Sequence, residues 1–240
     1  MRILSIGNSF SQDAHRYLRK TFEANGVPCK AVNLYIGGCT LRTHYLNMLD
    51  DEQRYFFEFG GESTGLSVSI REAVRSDDWD IITLQQQSSN SCRYETFQPY
   101  LDELADYVHT YCPHAKLYMH QTWAYEQDST MLHNAGYETE RNMFNAIRVS
   151  YLEAAKAIDA VGIIPAGEAM LYAHTHGIEK VHRDCFHASL VAGRALLSLT
   201  WYAKLTGKDV ADAVIPALDG PITDAEIRAI KEAVKHALEV

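Results

Sequence analysis

A serine set where a buried strand turns into a helix, and an acid three residues ahead of a histidine far downstream, are the residue types that acyl transfer to water needs. In this chain they are Ser9, in Ile3-Leu4-Ser5-Ile6-Gly7-Asn8-Ser9-Phe10-Ser11, and Asp184 and His187, in Asp184-Cys185-Phe186-His187. A serine hydroxyl is a poor nucleophile until a base takes its proton, which a neutral imidazole does near neutral pH. His187 is the candidate base, and Asp184 would hold its ring in the right tautomer and stabilise the imidazolium. Ser9, not Ser11, is the expected nucleophile because it stands on the turn itself.

Each half also has a plainer reading. Ser9 and Gln12 fit an S/T-x-x-E/Q capping box, in which Ser9 would only cap a helix for about 1 kcal/mol. An Asp-x-x-His pair is often a helix-start acid beside a surface histidine. Order and placement favour the chemical reading: the serine ends the first strand, and the acid and base follow the last.

Gly7-Asn8-Ser9 resembles the Gly-Asp-Ser block of the SGNH (GDSL-type) esterases and lipases, with Asn8 replacing the usual acid. Gly37-Gly38 resembles the block whose glycine amide helps form their oxyanion hole, and Asp184/His187 resemble their Asp-x-x-His block. Residues 6–13 are similar to a bacterial branch of that superfamily, and the resemblance runs from about residue 3 to 205. It implies a Ser9-His187-Asp184 triad and an oxyanion hole built from the Ser9 and Gly38 backbone N–H groups. One block departs. Most members carry Gly-x-Asn after the third strand, whereas here Asp80-Ile81-Ile82-Thr83-Leu84 runs into Gln85-Gln86-Gln87-Ser88-Ser89-Asn90. Sialate-acetylesterase-like relatives use a glutamine in that region, so the oxyanion role is carried to Gln85, with Gln87 and Asn90 as alternatives. Otherwise these amides simply cap the strand end. The resemblance makes esters of carbohydrates a plausible substrate.

Trp123 and Tyr125, after the fourth strand, are either packing residues or a platform for a sugar ring. No long apolar run supplies a tunnel for an acyl chain, so a short acyl group, acetyl above all, is expected. Two other readings remain on the same fold. The Gly-Asn-Ser-x-Ser turn at a helix N-terminus would also suit an anion, making a phosphate-binding module, and a catalytically dead chain would only bind a glycan. Both leave Asp184 and His187 idle. His174, His176 and His182 suggest a metal, yet no H-E-x-x-H or cysteine spacing supports one, so no metal or other cofactor is expected.

The elements that must position these groups are legible as short apolar runs alternating with amphipathic stretches, the pattern of βαβ units. Strands read at 3–6, 31–36, 81–84, 117–120 and 162–165. They predict a single domain, 1–240, with a flavodoxin-like three-layer α/β/α sandwich and a five-stranded parallel sheet. Ala14, Leu18 and Phe22 share one helical face, as do Phe97, Leu101, Leu104 and Val108. Further helices are expected over 140–160 and 188–205, and a Thr223/Glu226 capping box announces a last one. Residues 50–65 read as an inserted hairpin or a lid, and 122–137 as a wall. In open α/β sheets ligands bind beyond the carboxyl ends of the strands. Ser9, Gly38, Gln85, Gln121 and Asp184 all fall there.

At 240 residues, 47% hydrophobic and 22% charged, the composition is that of an ordinary globular enzyme. A net charge of -9 without a basic stripe argues against nucleic acid as a partner. Five cysteines without C-x-x-C spacing fit reduced thiols. No apolar stretch reaches the roughly 18 residues of a membrane span. The first strand follows Met1-Arg2 directly, so a cytoplasmic location is expected, or export if a leader has been removed.

Overall fold

In β1 (Arg2–Gly7), Ile3, Leu4 and Ile6 are all fully buried, as a strand in the middle of a sheet covered on both faces must be. The computed structural model describes residues 1–239. After β1 come α1 (Ser9–Ala24), β2 (Lys30–Tyr35), α2 (Leu41–Asp50), β3 (Tyr55–Phe59), β4 (Glu62–Val68) and the short α3 (Ile70–Val74). The chain continues through β5 (Ile81–Leu84), α4 (Tyr100–Tyr111), β6 (Lys116–His120), the short α5 (Thr130–Asn134) and α6 (Glu140–Ala157). It ends with β7 (Gly162–Ile164), α7 (Ala166–Thr175), α8 (Ala192–Thr206) and α9 (Asp224–Glu239).

The sheet order is β4-β3-β2-β1-β5-β6-β7. The expected parallel strands are present as β2, β1, β5, β6 and β7 in flavodoxin-like order. The expectation of a five-stranded sheet is corrected to seven, because residues 50–65 lead into a hairpin that pairs antiparallel with β2 and widens the sheet. Its outer strand, β4, is exposed along most of its length, so only the hairpin reading of 50–65 hints at it in the sequence.

Successive residues of the strands point to opposite layers. Ile3, Ala31 and Ile164 pack against α1, α7, α8 and α9; Leu4, Ile6, Val32, Leu34, Ile82 and Leu84 pack against α2, α3, α4 and α6. The stripes Ala14/Leu18/Phe22 and Leu101/Leu104/Val108 are buried as their spacing requires. The α9 capping box forms, with Glu226 N donating to Thr223 Oγ1 and Thr223 N to Glu226 Oε2. Helix α8, expected from 188, begins only at Ala192. The residues before it close a loop instead: His182 bridges Ala188, Arg183 N donates to His187 O, and Ser189 N to Val181 O. Helix α7 has no counterpart in the sequence reading because Ala166, Gly167, Ala169, Met170, Leu171 and Ala173 are all buried, and the narrow outer edge of Glu168, Tyr172 and Thr175 is too slight to mark its period. Among the described residues no helix is long and apolar enough to cross a membrane.

The hairpin is docked rather than free. Glu58, buried on β3, accepts from Asn33 Nδ2 at 2.8 Å and from Gln12 Nε2 at 2.5 Å, tying the hairpin to β2 and α1. At its tip Gly61 has φ +84°, and a Cβ there would lie 2.6 Å from Arg16 O and 2.7 Å from His15 O. Gly65 has φ +75° but open space around it. Alanine at either site meets the left-handed backbone penalty, and only Gly61 adds a collision with helix backbone. Gly61→Ala should therefore lower unfolding stability in urea by about 1–3 kcal/mol, clearly more than Gly65→Ala. Equal losses would show that the hairpin tip does not bear on α1.

Candidate active site

The turn from β1 into α1 leaves only Asn8 between strand and helix. A side chain at Gly7 would place its Cβ 2.3 Å from Ser11 Oγ, so the glycine is what lets the helix start so abruptly. The helix cap is Asn8, not Ser9: Asn8 Oδ1 accepts from Phe10 N at 3.0 Å. The capping box read from Ser9 and Gln12 is absent, and the Gln12 amide is spent on Glu58. Ser9 is thus the first helical residue, with an N–H that has no acceptor inside the helix. Ser11 is fully buried, its Oγ 2.7 Å from Asn33 Oδ1 and 2.8 Å from Asn8 O.

The loop before α8 brings the downstream pair to this turn. Ser9 Oγ lies 2.8 Å from His187 Nε2, and His187 Nδ1 lies 2.9 Å from Asp184 Oδ2. The other carboxylate oxygen, Asp184 Oδ1, accepts from the His187 backbone N–H at 2.9 Å. An ionised carboxylate only accepts, so the proton of the neutral ring belongs on Nδ1 and Nε2 is left to accept from the Ser9 hydroxyl. Partial burial pushes the Asp184 carboxyl up, but hydrogen bonds from the His187 ring and backbone, with the charges of His187 and Arg183, outweigh it and hold it below its ordinary value.

Ser9, His187 and Gly38 line one cavity of about 400 Å³, together with Tyr35, Gln87, Tyr125, Met131 and Phe186. Gly38, with φ +63°, sits in the turn between β2 and α2, and that turn is held to the serine by Asn8 Nδ2, which donates to Cys39 O at 3.0 Å. An aspartate at position 8 would have no hydrogen to give to that carbonyl.

Two assignments made from sequence need correction. Gln85 is buried behind Asn8: its Nε2 donates to Asn8 Oδ1 at 2.7 Å, and its Oε1 pairs with His120 Nδ1 at 2.8 Å. With its oxygen and one amide hydrogen engaged and the side chain buried, Gln85 does not line the cavity beside Ser9. Of the alternatives, Gln87 lines the cavity, its Oε1 accepting from Ser89 Oγ at 2.7 Å, whereas Asn90 turns to Arg93 at 2.9 Å. Trp123 is fully buried, stacked on Phe10 with ring centroids 4.1 Å apart, and its Nε1 donates to Phe186 O at 2.7 Å. It supports the wall from behind and offers no face to a sugar. Tyr125 does reach the cavity, although it is only 3% exposed and its hydroxyl pairs with Ser88 Oγ at 3.1 Å.

Tyr35, Met131 and Phe186 were not singled out from the sequence, although Met131 lies in the segment 122–137 read as a wall and Phe186 stands inside the Asp-x-x-His block. Phe186 packs against His187 with ring centroids 3.9 Å apart and planes tilted by 37°. Of the histidines considered for a metal, His174 and His182 are neighbours with ring centroids 6.0 Å apart, but His174 pairs with Glu140, His182 hydrogen-bonds to Ala124 O and His176 stacks on Tyr172. Burial pushes His120 down to about 3, with the neighbouring His15 adding to the effect, so it serves as a neutral hydrogen-bonding group.

The fold is that of the SGNH (GDSL-type) hydrolases. Among solved structures, a proposed SGNH hydrolase from Slackia heliotrinireducens superposes with a TM-score of 0.62 at 21% identity, covering 85% of this chain and 98% of that one. The psychrotrophic esterase EstA from Pseudoalteromonas sp. gives 0.56 at 11% identity, covering 86% and 97%. The chain belongs to the family described as domain of unknown function DUF4886, which matches it over residues 2–219. A DUF4886 family protein from Bacteroides uniformis is 32% identical, with a TM-score of 0.91 over 100% of this chain and 95% of its own. Comparison with curated proteins gives no match.

The two glutamines are separable by stability. Gln85→Ala strips a partner from buried Asn8 and His120 and should lower stability by about 1–3 kcal/mol. Gln87→Ala, on the cavity wall, should stay within about 0.5 kcal/mol of the parent. Thermal denaturation of the two variants checks this, and a Gln87 loss as large as that of Gln85 would contradict the assignment.

Proposed function

We propose that this protein is a serine esterase that removes a short acyl group, most readily acetyl, from a polar alcohol such as a sugar. The observation that carries the reading is the unbroken hydrogen-bond chain from Ser9 Oγ through the His187 ring to Asp184, at 2.8 and 2.9 Å. As a substrate carbonyl approaches, His187 Nε2 takes the Ser9 proton and Oγ forms the bond to carbon. Asp184 stays ionised and steadies the imidazolium. The developing oxyanion is met by the Ser9 and Gly38 backbone N–H groups and the Gln87 side-chain amide, which takes the role first given to Gln85. His187 then returns its proton to the leaving alcohol, and water, activated by the same ring, releases the acyl group from Ser9.

The walls support a short acyl group. A cavity of about 400 Å³ edged by Tyr35, Tyr125 and Phe186 suits a small acyl group and leaves ring faces and hydroxyls for a polar alcohol. A site built for longer chains would gain about 0.8 kcal/mol per buried methylene. The phosphate-binding reading leaves the His187-Asp184 pair without a task.

A phosphonate that traps activated serines is the direct probe; the esterase EstA was itself solved inhibited by monoethylphosphonate. The adduct should map to Ser9, and an adduct on Ser11, or none on a protein that turns over esters, defeats the reading. Gln87→Ala should lower kcat by about 10²–10³ with KM little changed. Across p-nitrophenyl esters from acetate to decanoate kcat/KM should not climb; a steady rise would overturn the short-acyl assignment and leave the triad standing.

A further inference from the structure

Helix α1 carries a second functional group one turn beyond Ser9. Asp13 stands at i+4 from the serine, so the two side chains share a helical face. It is fully buried, and its carboxylate faces two guanidinium groups: Arg183 Nη1 at 2.8 and 2.9 Å and Arg194 Nε at 2.8 Å. Asp13 Oδ2 also accepts from the backbone N–H of Ala188 at 3.1 Å, and Arg183 Nη1 donates to Ala188 O at 2.5 Å. Both backbone groups of the residue that follows His187 therefore end on this one cluster. Arg183, the residue before Asp184, is part of it too. The segment holding the acid and base is thus clasped at both ends to the helix that holds the serine.

We infer that Asp13 is the positioning residue that sets the distance between Ser9 and His187. The inference rests on the serine esterase reading for its consequence in rate. Asp13 touches no part of the cavity and takes no proton in the reaction; it acts through the Ala188 backbone and Arg183. A buried ion cluster is weak evidence for stability, since apolar groups of the same volume often serve as well. What apolar groups cannot do is fix a polar backbone at hydrogen-bonding distance. A shift of about 1 Å between serine and base costs on the order of 10²-fold in rate. The spacing of one helical turn also has a use here: the serine reaches the ring while the carboxylate reaches the peptide just beyond it, so one face of α1 sets the ring's position twice.

Asp13→Asn keeps the shape, removes the charge and turns one acceptor into a donor. In the folded variant kcat should fall about 10–100-fold with KM within about twofold of the parent. The neutral His187 ring should also lose its single tautomer, read from its ring nitrogen-15 shifts and assigned by comparison with His187→Gln. Should Asp13→Asn fail to fold, Arg183→Met, at a partly exposed position, removes the bridge to Ala188 O and is expected to act the same way. A lowered Tm with kcat and tautomer unchanged would reduce the cluster to a structural one and overturn the inference. If the parent protein hydrolyses no ester, the esterase reading fails by itself; the tautomer comparison needs no substrate and still decides whether Asp13 positions His187.

Discussion

Asn8 stands between a strand that ends at Gly7 and a helix that begins at Ser9, and its buried amide is hydrogen-bonded to three separate parts of the chain. Its oxygen takes the first turn of α1 through Phe10 N and the end of β5 through Gln85; its nitrogen takes the turn after β2 through Cys39 O. Serine, glycine turn and glutamine-rich strand end are thereby referred to one planar group with no rotational freedom left. Leaving any of these buried partners unpaired would cost about 1–3 kcal/mol. That cost is why the segments around Ser9 hold one arrangement.

Beneath this junction the layer between the sheet and α1 is more polar than a core needs to be. Ser5 Oγ pairs with His15 Nε2 at 2.7 Å and takes a hydrogen bond from Thr83 at 2.8 Å, while Gln85 leans on His120. Burial pushes both His15 and His120 down to about 3, so they stay uncharged and orient their neighbours without titrating near neutral pH. His174 and His187 each have a carboxylate partner, and only His187 also meets a serine hydroxyl. Chemistry in this chain is decided by which imidazole is placed beside which oxygen.

The glutamine run shows the limit of reading a site from order alone. Gln85, Gln86 and Gln87 are the same residue type and lie just past the end of β5, where strand alternation no longer sets the direction of each side chain. Gln85 goes inward to Asn8 and His120, Gln86 holds Leu41 N and Thr96 O, and Gln87 faces the cavity. Nothing in the local sequence says which face holds Asn8. Trp123 fails the same way: an aromatic beyond a strand end reads alike as a platform or a buried prop, until Phe10 and the Phe186 carbonyl are seen to occupy its face and its N–H.

The parallel strands, the stripes of α1 and α4, the last helix with its capping box, and the Ser9, Asp184 and His187 positions are determined by residue order and period, which are local properties of a chain. The hairpin's place beside β2, the buried helix α7, the loop that replaces the first turn of α8, and the division of labour among the glutamines were decided only by the tertiary structure. The physical reason is common to all four. Each depends on what lies across from a residue in space, a partner strand, a covering layer or a waiting hydrogen-bond acceptor, and periodicity along the chain carries no record of the neighbour on the other side.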